Sequence, residues 1–235
     1  SVASLSVQGR DVGTLTTDIA RSPLQTQLSN GRLRQTDGGL VAFDLTIPSI
    51  GSDNISLNAQ LTSVNAGNLL AALPVSLPER LRDFNGKTSG TVALAGLPDQ
   101  ASGEINITSE AGNIAGQPFD SLTAKAVFTG TRINIERGKI RVGNGSLSAA
   151  GFYDTASSGF DLNVTGSQVP LPLLLAALPT FAGQSPPVTG TADFTARAAG
   201  EFDRPATINV NFNGTASNVL VSNQALGAVT FQGTT

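Results

Sequence analysis

The sequence predicts an all-β chain with two or three short helices, organised as a long antiparallel, meandering sheet. The first observation behind this prediction is a two-residue alternation of apolar and small polar residues along most of the 235 positions. The second is a series of Asn-Gly and Asp-Gly sequences between the alternating runs, which is typical of hairpins. In addition, charged residues make up only 13% of the chain, about half of the roughly 25% in an average soluble domain.

The alternating runs predict strands with one face of Val, Ile, Leu or Phe and one face of Ser, Thr, Asn, Asp or Gln. In chain order these strands are 40–47, 55–62, 91–95, 104–108, 122–129, 132–135, 139–142, 160–165, 192–198 and 207–213. Between them, five sequences predict tight turns: Asn30-Gly31, Asp37-Gly38-Gly39, Asn85-Gly86, Asn144-Gly145 and Asn213-Gly214.

Two short predicted helices interrupt the strands, and they share one sequence. Leu-Leu-Ala-Ala-Leu-Pro at residues 69–74 recurs at residues 174–179, an offset of 105, and the closing proline ends each helix. A third short helix is predicted from the spacing of Leu77, Leu81 and Phe84. Six leucines of the two repeated helices are expected to plug the apolar face of the sheet or to cap its margin: Leu69, Leu70, Leu73, Leu174, Leu175 and Leu178.

The correspondence between the two copies extends beyond the helices, at offsets of 100 and 103. Gly90-Thr91 before the next strand corresponds to Gly190-Thr191, and Ile105-Asn106-Ile107 corresponds to Ile208-Asn209-Val210. We therefore predict one continuous repetitive fragment over residues 1–235, with approximate repeat units 7–115 and 116–235, which begins and ends within a repeat.

The composition argues against catalysis. The chain has no Cys and no His, which excludes disulfides, thiolate or imidazole metal ligands and His-dependent nucleophiles. A net charge of −3 and a pI near 4.9 argue against nucleic acid. No apolar run approaches the roughly 18 residues of a membrane span. We predict no enzyme activity, no catalytic residue, no metal and no cofactor.

The apolar face of the predicted sheet is the candidate functional site. A sheet of this many strands with one apolar face either curls into an open groove or closes into a β-sandwich or barrel with a dry core. The residues expected to line the groove are Phe43, Leu45, Ile47, Ile55, Leu57, Val92, Leu94, Ile105, Ile107, Ile133, Ile135, Ile140, Val142, Phe160, Leu162, Val164, Phe194, Ile208, Val210 and Phe212.

The order of these elements resembles a known repeat. The helix at residues 69–74 is followed by Ser-Gly-Thr-Val-Ala-Leu-Ala-Gly-Leu-Pro-Asp at residues 89–99 and by Asn-Ile-Ala-Gly-Gln-Pro-Phe-Asp-Ser-Leu at residues 113–122. This order is similar to the repeat of the TamB and AsmA-like family, the inner-membrane subunits of the translocation and assembly module. The resemblance covers nearly the whole chain and implies a β-taco-like sheet with an apolar inner surface.

The resemblance also implies a function. Members of this family are anchored in the inner membrane of diderm bacteria, extend through the periplasm and work with an Omp85-type outer-membrane barrel. The expected role is a bridge whose groove binds acyl chains and conducts phospholipids between the two membranes. The anchor and the barrel-binding part are expected to lie outside this fragment.

Two alternative functions remain open from the sequence. One is a scaffold for the assembly of outer-membrane proteins or autotransporters. The other is a passive extracellular module of an adhesin or surface layer, which the Gly, Ser, Thr and Asn content also suits. Open sheet edges additionally predict self-association through edge strands.

Overall fold

The computed structural model describes residues 4–7, 10–49, 54–67, 84–97, 100–114, 117–177 and 187–234. These residues form the strands β1 (Leu5–Val7), β2 (Arg10–Arg21), β3 (Gln25–Arg34), β4 (Leu40–Pro48), β5 (Ile55–Asn65), β6 (Asn85–Leu97), β7 (Ser102–Ile114), β8 (Gln117–Phe119), β9 (Ser121–Thr129), β10 (Arg132–Val142), β11 (Gly145–Asp154), β12 (Gly159–Pro170), β13 (Val188–Glu201), β14 (Arg204–Val221) and β15 (Gln224–Thr234). The helix α1 (Leu171–Ala177) lies between β12 and β13.

The strands form one 15-stranded sheet in which nearly every strand is hydrogen-bonded to the strands that precede and follow it in the chain. The order runs from β1 to β15, except that β8 pairs only with β7, and β7 then pairs with β9. The sheet is antiparallel, as in the successive pairs of β2 with β3, β3 with β4 and β4 with β5, and it does not close into a barrel. The predicted long antiparallel meander is therefore confirmed, and the alternative of a closed barrel is not what the chain forms.

The chain divides into two compact units, unit 1 at Ser1–Glu136 and unit 2 at Arg137–Thr235. Unit 1 contains β1 to β9 and the first part of β10, and unit 2 contains the rest of β10, β11 to β15 and α1. The 105-residue repeat with units 7–115 and 116–235 stays a prediction from the sequence.

Three of the predicted hairpin turns are wrong. Asn30-Gly31 lies within β3 and Asn213-Gly214 lies within β14, while Asn85-Gly86 begins β6. The cause at Gly31 is a close approach, because a Cβ there would lie 2.6 Å from Cζ of Phe43 on the neighbouring strand. The Asn-Gly pair therefore forms a bulge instead of a turn, and Gly31 leaves room for the ring of Phe43.

The turn predicted at Asp37-Gly38-Gly39 is confirmed, and the one predicted at Asn144-Gly145 lies one residue earlier. Asp37 and Gly38 lie in the turn between β3 and β4, where Gly38 has a φ of 93°. The turn between β10 and β11 consists of Gly143 and Asn144, and Gly143 has a φ of 57°. Glycine adopts this left-handed conformation without the steric cost that a side chain adds.

Four strands contain a β-bulge at which a residue other than glycine adopts a positive φ. These residues are Asn30 in β3, Ser63 in β5, Gln168 in β12 and Asn218 in β14, with φ between 48° and 54°. At each bulge the register between the strand and its successor shifts. Bulges of this kind increase the local twist of a sheet. The same type of bulge occurs in both units.

At three of these bulges a side chain of the following strand accepts a hydrogen bond from the backbone N–H of the positive-φ residue. The pairs are Asp44 with Asn30 (3.0 Å), Ser89 with Ser63 (2.9 Å) and Asp193 with Gln168 (3.0 Å). At the fourth bulge the residue facing Asn218 is Ala228, which has no side-chain acceptor. The bulges thus share a backbone geometry but not this side-chain contact.

The buried residues concentrate at one margin of each unit, which we call the packed margin. In unit 1 this margin consists of the last residues of β3, β5 and β7 and the first residues of β6. In unit 2 it consists of the last residues of β12 and β14 and the first residues of β13. Its buried side chains are Leu33, Gln35, Val64, Phe84, Thr88, Ser109 and Phe119 in unit 1, and Val169, Ala192, Ala216 and Val219 in unit 2. We call the opposite end of the strands the open margin.

A glutamine extends the backbone pairing at the packed margin of unit 1. The amide of Gln35, which is 4% exposed, donates from Nε2 to the carbonyl oxygen of Asn65 at 3.1 Å. Its Oε1 accepts from the backbone N–H of Asn65 at 2.7 Å. The side chain therefore takes the place of a peptide group of a neighbouring strand and satisfies the end of β5.

The packed margin of unit 2 is covered by α1. Leu171 and Leu174 of this helix pack against a buried cluster of Ala192, Ala216 and Val219. The helix has seven residues, so its stability depends on this packing and not on helix propensity.

Candidate functional site

Three apolar rows cross the sheet of unit 1, because residues that pair directly on neighbouring antiparallel strands project to the same face. The middle row joins Phe43, Ala59, Val92, Ile105 and Ala126. The rows on either side are Val41, Leu61, Gly90, Ile107 and Ala124, and Leu45, Leu57, Leu94, Gly103 and Phe128. Seven of the predicted lining residues are therefore brought together on one face.

Four corresponding rows cross unit 2 from β11 towards β15. From the packed margin to the open margin they are Leu147, Gly166, Phe194, Gly214 and Phe231, then Ala149, Val164, Ala196, Phe212 and Gly233, then Gly151, Leu162, Ala198 and Val210, and finally Tyr153, Phe160 and Gly200. Six predicted lining residues fall in these rows. None of the residues in the rows of either unit is charged or carries an amide side chain.

The remaining predicted lining residues lie at the ends of the rows or in β10. Ile47 pairs with Thr26, and Ile55 pairs with Leu97, both towards the open margin of unit 1. Ile208 adjoins Gly200 in unit 2. In β10, Ile133 and Ile135 belong to unit 1 and Ile140 and Val142 to unit 2, and all four are partly buried.

The apolar rows remain accessible. Of the predicted lining residues only Phe160 is buried, Ile47 and Phe212 are 38% and 39% exposed, and the others are intermediate. Among the described elements, the extensive contacts are those between neighbouring strands and those of α1 with β12 and β13. Within the described part of either unit taken by itself, therefore, no second sheet packs on the apolar rows as it would in a sandwich.

Phenylalanine rings lie flat on this face because glycines receive them. A Cβ added to Gly166 would overlap the ring of Phe194, and one added to Gly233 would lie 2.5 Å from the ring of Phe212. Gly214 receives the ring of Phe231 in the same way, at 2.6 Å. Each ring thus covers the backbone of the paired strand and fills the gap that a glycine leaves in the apolar row.

The opposite face carries the polar residues and the ion pairs. On this face in unit 1, Lys125 lies between Glu136, with Nζ to Oε2 at 2.9 Å, and Glu104 at 3.6 Å. The hydrogen bond and the charge of Glu136, assisted by Glu104, raise the pKa of Lys125 above its usual value. These charged groups alternate with the apolar rows, so they do not project onto the apolar face.

In unit 2, Arg197 binds Asp161 across β12 and β13. Arg197 Nε donates to Oδ1 at 3.0 Å and Nη2 donates to Oδ2 at 2.6 Å. This bidentate hydrogen bond and the guanidinium charge hold the pKa of Asp161 below its usual value, and the same contact raises the pKa of Arg197. The pair is on the polar face, one residue out of phase with the apolar rows.

The main cleft in unit 2 is on the polar face as well. It has a volume of about 730 Å³ and is lined by Asn163, Val164, Thr165, Thr195, Ala196, Arg197, Asn211, Phe212, Asn213, Gln232, Gly233 and Thr234. Eight of these residues form two polar rows, which are Asn163, Arg197, Asn211 and Thr234, and Thr165, Thr195, Asn213 and Gln232. The neighbouring apolar residues Leu162, Phe194 and Val210 do not line the cleft. The cleft therefore lies between two polar rows, and it is distinct from the predicted apolar groove.

The predicted helical leucines are described only in part. Leu69, Leu70, Leu73 and Leu178 lie outside the described residues, as do Leu77 and Leu81 of the third predicted helix. Leu174 packs on the cluster at the packed margin, and Leu175 is partly buried in the same helix. For this copy of the helix the contacts are those of a structural cap.

Phe84, the last residue of the third predicted helix, precedes β6. Its ring stacks on Phe119 with centroids 5.8 Å apart, and both residues are buried at the packed margin of unit 1. Its contacts, like those of Leu174, are contacts of packing.

Sequence reasoning missed several residues that complete the face. Leu61, Phe128 and Phe231 lie in the apolar rows, and their positions in alternating runs were the available signal. It also missed an aromatic cluster at the open margin of unit 2, in which Phe202 stacks on Phe160 with centroids 4.3 Å apart. No local pattern marks that contact, because the two residues are 42 positions apart.

Comparisons with protein-family models, with curated proteins and with solved structures gave no match for this chain. Among the described residues, no helix has the length and apolar character needed to cross a membrane. Function is therefore inferred from the geometry of the sheet and from the repeat in the sequence.

Proposed function

We propose that this chain is a segment of a bridge-like lipid carrier, in which the apolar rows bind the acyl chains of phospholipids. The observation that supports the proposal is that, within each unit, apolar rows stay accessible on one face of the open sheet. Soluble proteins rarely expose contiguous apolar surface of this extent unless it binds an apolar partner.

The chemistry of the rows suits a hydrocarbon chain. Withdrawal of each CH₂ group from water is favourable by about 0.8 kcal/mol, so a tail on the rows avoids that cost in an aqueous gap. The rows contain only aliphatic and aromatic side chains and glycines, and flat rings fill the places of the glycines. Because the rows offer a tail similar aliphatic and aromatic contacts at successive strands, its free energy changes little along them, which permits movement.

The wider role follows from the resemblance to the TamB and AsmA-like repeat. We propose that the parent protein is anchored in the inner membrane, spans the periplasm and works with an Omp85-type barrel through parts outside this fragment. Phospholipid would then pass between the membranes without a catalytic residue, a metal or a cofactor, because transfer along an apolar strip breaks no covalent bond.

Photocrosslinking on β12 tests whether acyl chains bind the apolar rows. A photoreactive residue at Leu162 projects to the apolar face, and one at the adjacent Asn163 projects to the polar face. The proposal predicts strong labelling of radioactive phospholipid from position 162 and only background labelling from position 163. The same pair in unit 1 is Ile105 and Asn106.

The control is the lipid content of the unmodified protein after purification from cells, measured by mass spectrometry of an organic extract. We expect co-purified phospholipid above the level of a protein of the same size without an apolar face. Equal labelling from positions 162 and 163, or no phospholipid in the extract, would contradict the proposal and favour a passive structural module.

A further inference from the structure

The open margin of unit 2 carries an aromatic corner that consists of Tyr153, Phe160 and Phe202. The ring of Phe202 stacks on Phe160 at 4.3 Å and contacts Tyr153 at 5.7 Å with an interplanar angle of 60°. Phe160 is 6% exposed beneath it, whereas Phe202 is 56% exposed. One large aromatic face is thus presented to solvent at the end of the apolar rows.

Phe202 is held in place by the neighbouring turn. Its backbone N–H donates to the carbonyl oxygen of Ser158 at 3.0 Å, and the hydroxyl of Ser158 donates to Oδ2 of Asp203 at 2.5 Å. The turns that follow β11 and β13 are therefore joined at residues 158, 202 and 203. These hydrogen bonds, together with the stacking of Phe202 on Phe160, define the positions of the exposed ring and of the neighbouring carboxylate.

Charges of both signs adjoin the aromatic corner. Asp203 carries a carboxylate whose hydrogen-bond donor, Ser158, is neutral, so its negative charge is not compensated by that contact. Arg204 pairs with Glu201 through Nε at 2.6 Å and through Nη2. The arginine side chain is 69% exposed, and its remaining N–H donors are not used by that ion pair.

The apolar rows of unit 2 have different neighbours at the packed margin and at the open margin. At the packed margin, α1 covers the rows through Leu171 and Leu174. At the open margin the last row, Tyr153, Phe160 and Gly200, adjoins Phe202 and the charged residues 203 and 204. A headgroup at the open margin therefore adjoins aromatic and charged residues, whereas one at the packed margin meets α1.

We infer that the aromatic corner, Asp203 and Arg204 form a recognition site for a zwitterionic phospholipid headgroup, which rests on the proposed binding of acyl chains. The ammonium group lies against the exposed ring of Phe202 and the carboxylate of Asp203, a combination that binds organic cations. The phosphate accepts hydrogen bonds from Arg204. An anionic headgroup without the ammonium leaves Asp203 unpaired and is repelled by it.

Lipid competition tests this inference on the full chain. The protein is incubated with an equimolar detergent mixture of phosphatidylethanolamine, phosphatidylcholine and phosphatidylglycerol with identical acyl chains, and bound lipid is counted by native mass spectrometry. We expect each zwitterionic lipid to exceed phosphatidylglycerol by about threefold, the size expected of an exposed cation–π contact together with an exposed charge pair.

Substitutions separate headgroup recognition from tail binding. Asp203→Asn and Phe202→Leu should remove the preference by lowering binding of the two zwitterionic lipids towards that of phosphatidylglycerol, while Arg204→Gln should lower binding of all three lipids equally. Glu110→Gln, a change at an exposed carboxylate of unit 1, is the matched control and should retain the preference.

The outcomes distinguish the two proposals. Binding of no lipid at all contradicts the proposed function and this inference with it. Equal binding of the three lipids by the wild-type chain, or a preference for phosphatidylglycerol, overturns the headgroup site alone. A preference that persists in both Asp203→Asn and Phe202→Leu also overturns it, because those side chains carry the recognition.

Discussion

Two valines on β12 show how differently this sheet treats the same side chain. Val169, at the packed margin and two residues before α1, is 1% exposed. Val164, five residues earlier, lies in an apolar row and is partly exposed. The fully buried core of the sheet is therefore at a margin, whereas most side chains of the apolar rows are only partly buried. These partly exposed rows are the surface on which the proposed binding of acyl chains depends.

The largest effect is expected from a charge placed at each of these two valines. Val169→Asp puts a carboxylate into a dry site without a partner and should lower the free energy of unfolding by about 3 kcal/mol or more. Val164→Asp leaves the carboxylate at an accessible position and should cost about 1 kcal/mol or less. Urea unfolding followed by circular dichroism measures both, and similar losses would show that the rows are packed.

A smaller effect is expected at the glutamine of the packed margin. Gln35→Leu removes both hydrogen bonds to the backbone of Asn65 and should cost about 2 kcal/mol, because two hydrogen bonds at a part-buried site are lost. Gln60→Leu, at an exposed position of β5, is the control and should change stability by less than about 0.5 kcal/mol. If the two variants unfold at the same urea concentration, the side-chain bridge does not stabilise the margin.

The four bulges allow the same backbone geometry to be compared with and without a side-chain hydrogen-bond acceptor. Asp193→Ala removes the acceptor for the N–H of Gln168 and should destabilise the chain by about 1 kcal/mol. Ala228→Ser supplies a hydroxyl at the one described bulge of this kind without a side-chain acceptor, and it should stabilise by about 0.3 kcal/mol. Thermal unfolding of both variants checks the signs, and an Asp193→Ala protein of unchanged stability would show that backbone geometry alone maintains the bulge.

The smallest effect concerns pH and the polar face. The pKa of Asp161 is lowered by Arg197, so the pair stabilises the folded state above the ordinary aspartate pKa, about 3.9, and this contribution is lost as the pH falls through the lowered value. Arg197→Gln should return the carboxyl titration to the ordinary range in an NMR titration. Arg204→Gln is the control and should leave Asp161 unchanged; the same titration in all three proteins would exclude the coupling.

The faces of the strands were predictable, whereas the role of individual glycines was not. Alternation assigns Phe43, Leu57 and Ile105 to one face because a strand has a period of two, and the structure places them in shared rows. Asn30-Gly31 predicts a hairpin by local turn chemistry, but the glycine lies under a ring from β4. That contact depends on register between strands, which local sequence does not encode.

The aromatic corner was even less predictable from local sequence. Phe202 lies in a charged turn, Glu-Phe-Asp-Arg, which predicts only an exposed loop. Its stacking on Phe160 arises because the turns after β11 and β13 are brought together by the pairing of β12 with β13. A contact between residues this far apart follows from topology, and composition gives no signal for it.

The order of the strands has a consequence for how the chain is made. Each strand from β2 to β7 pairs with the one synthesised just before it, so the sheet grows from its first hairpin without waiting for distant segments. The newest strand is always an exposed edge until its successor arrives. Insertion or loss of a whole hairpin would change the length of the sheet and leave every other pairing intact, which gives evolution a simple way to adjust its span.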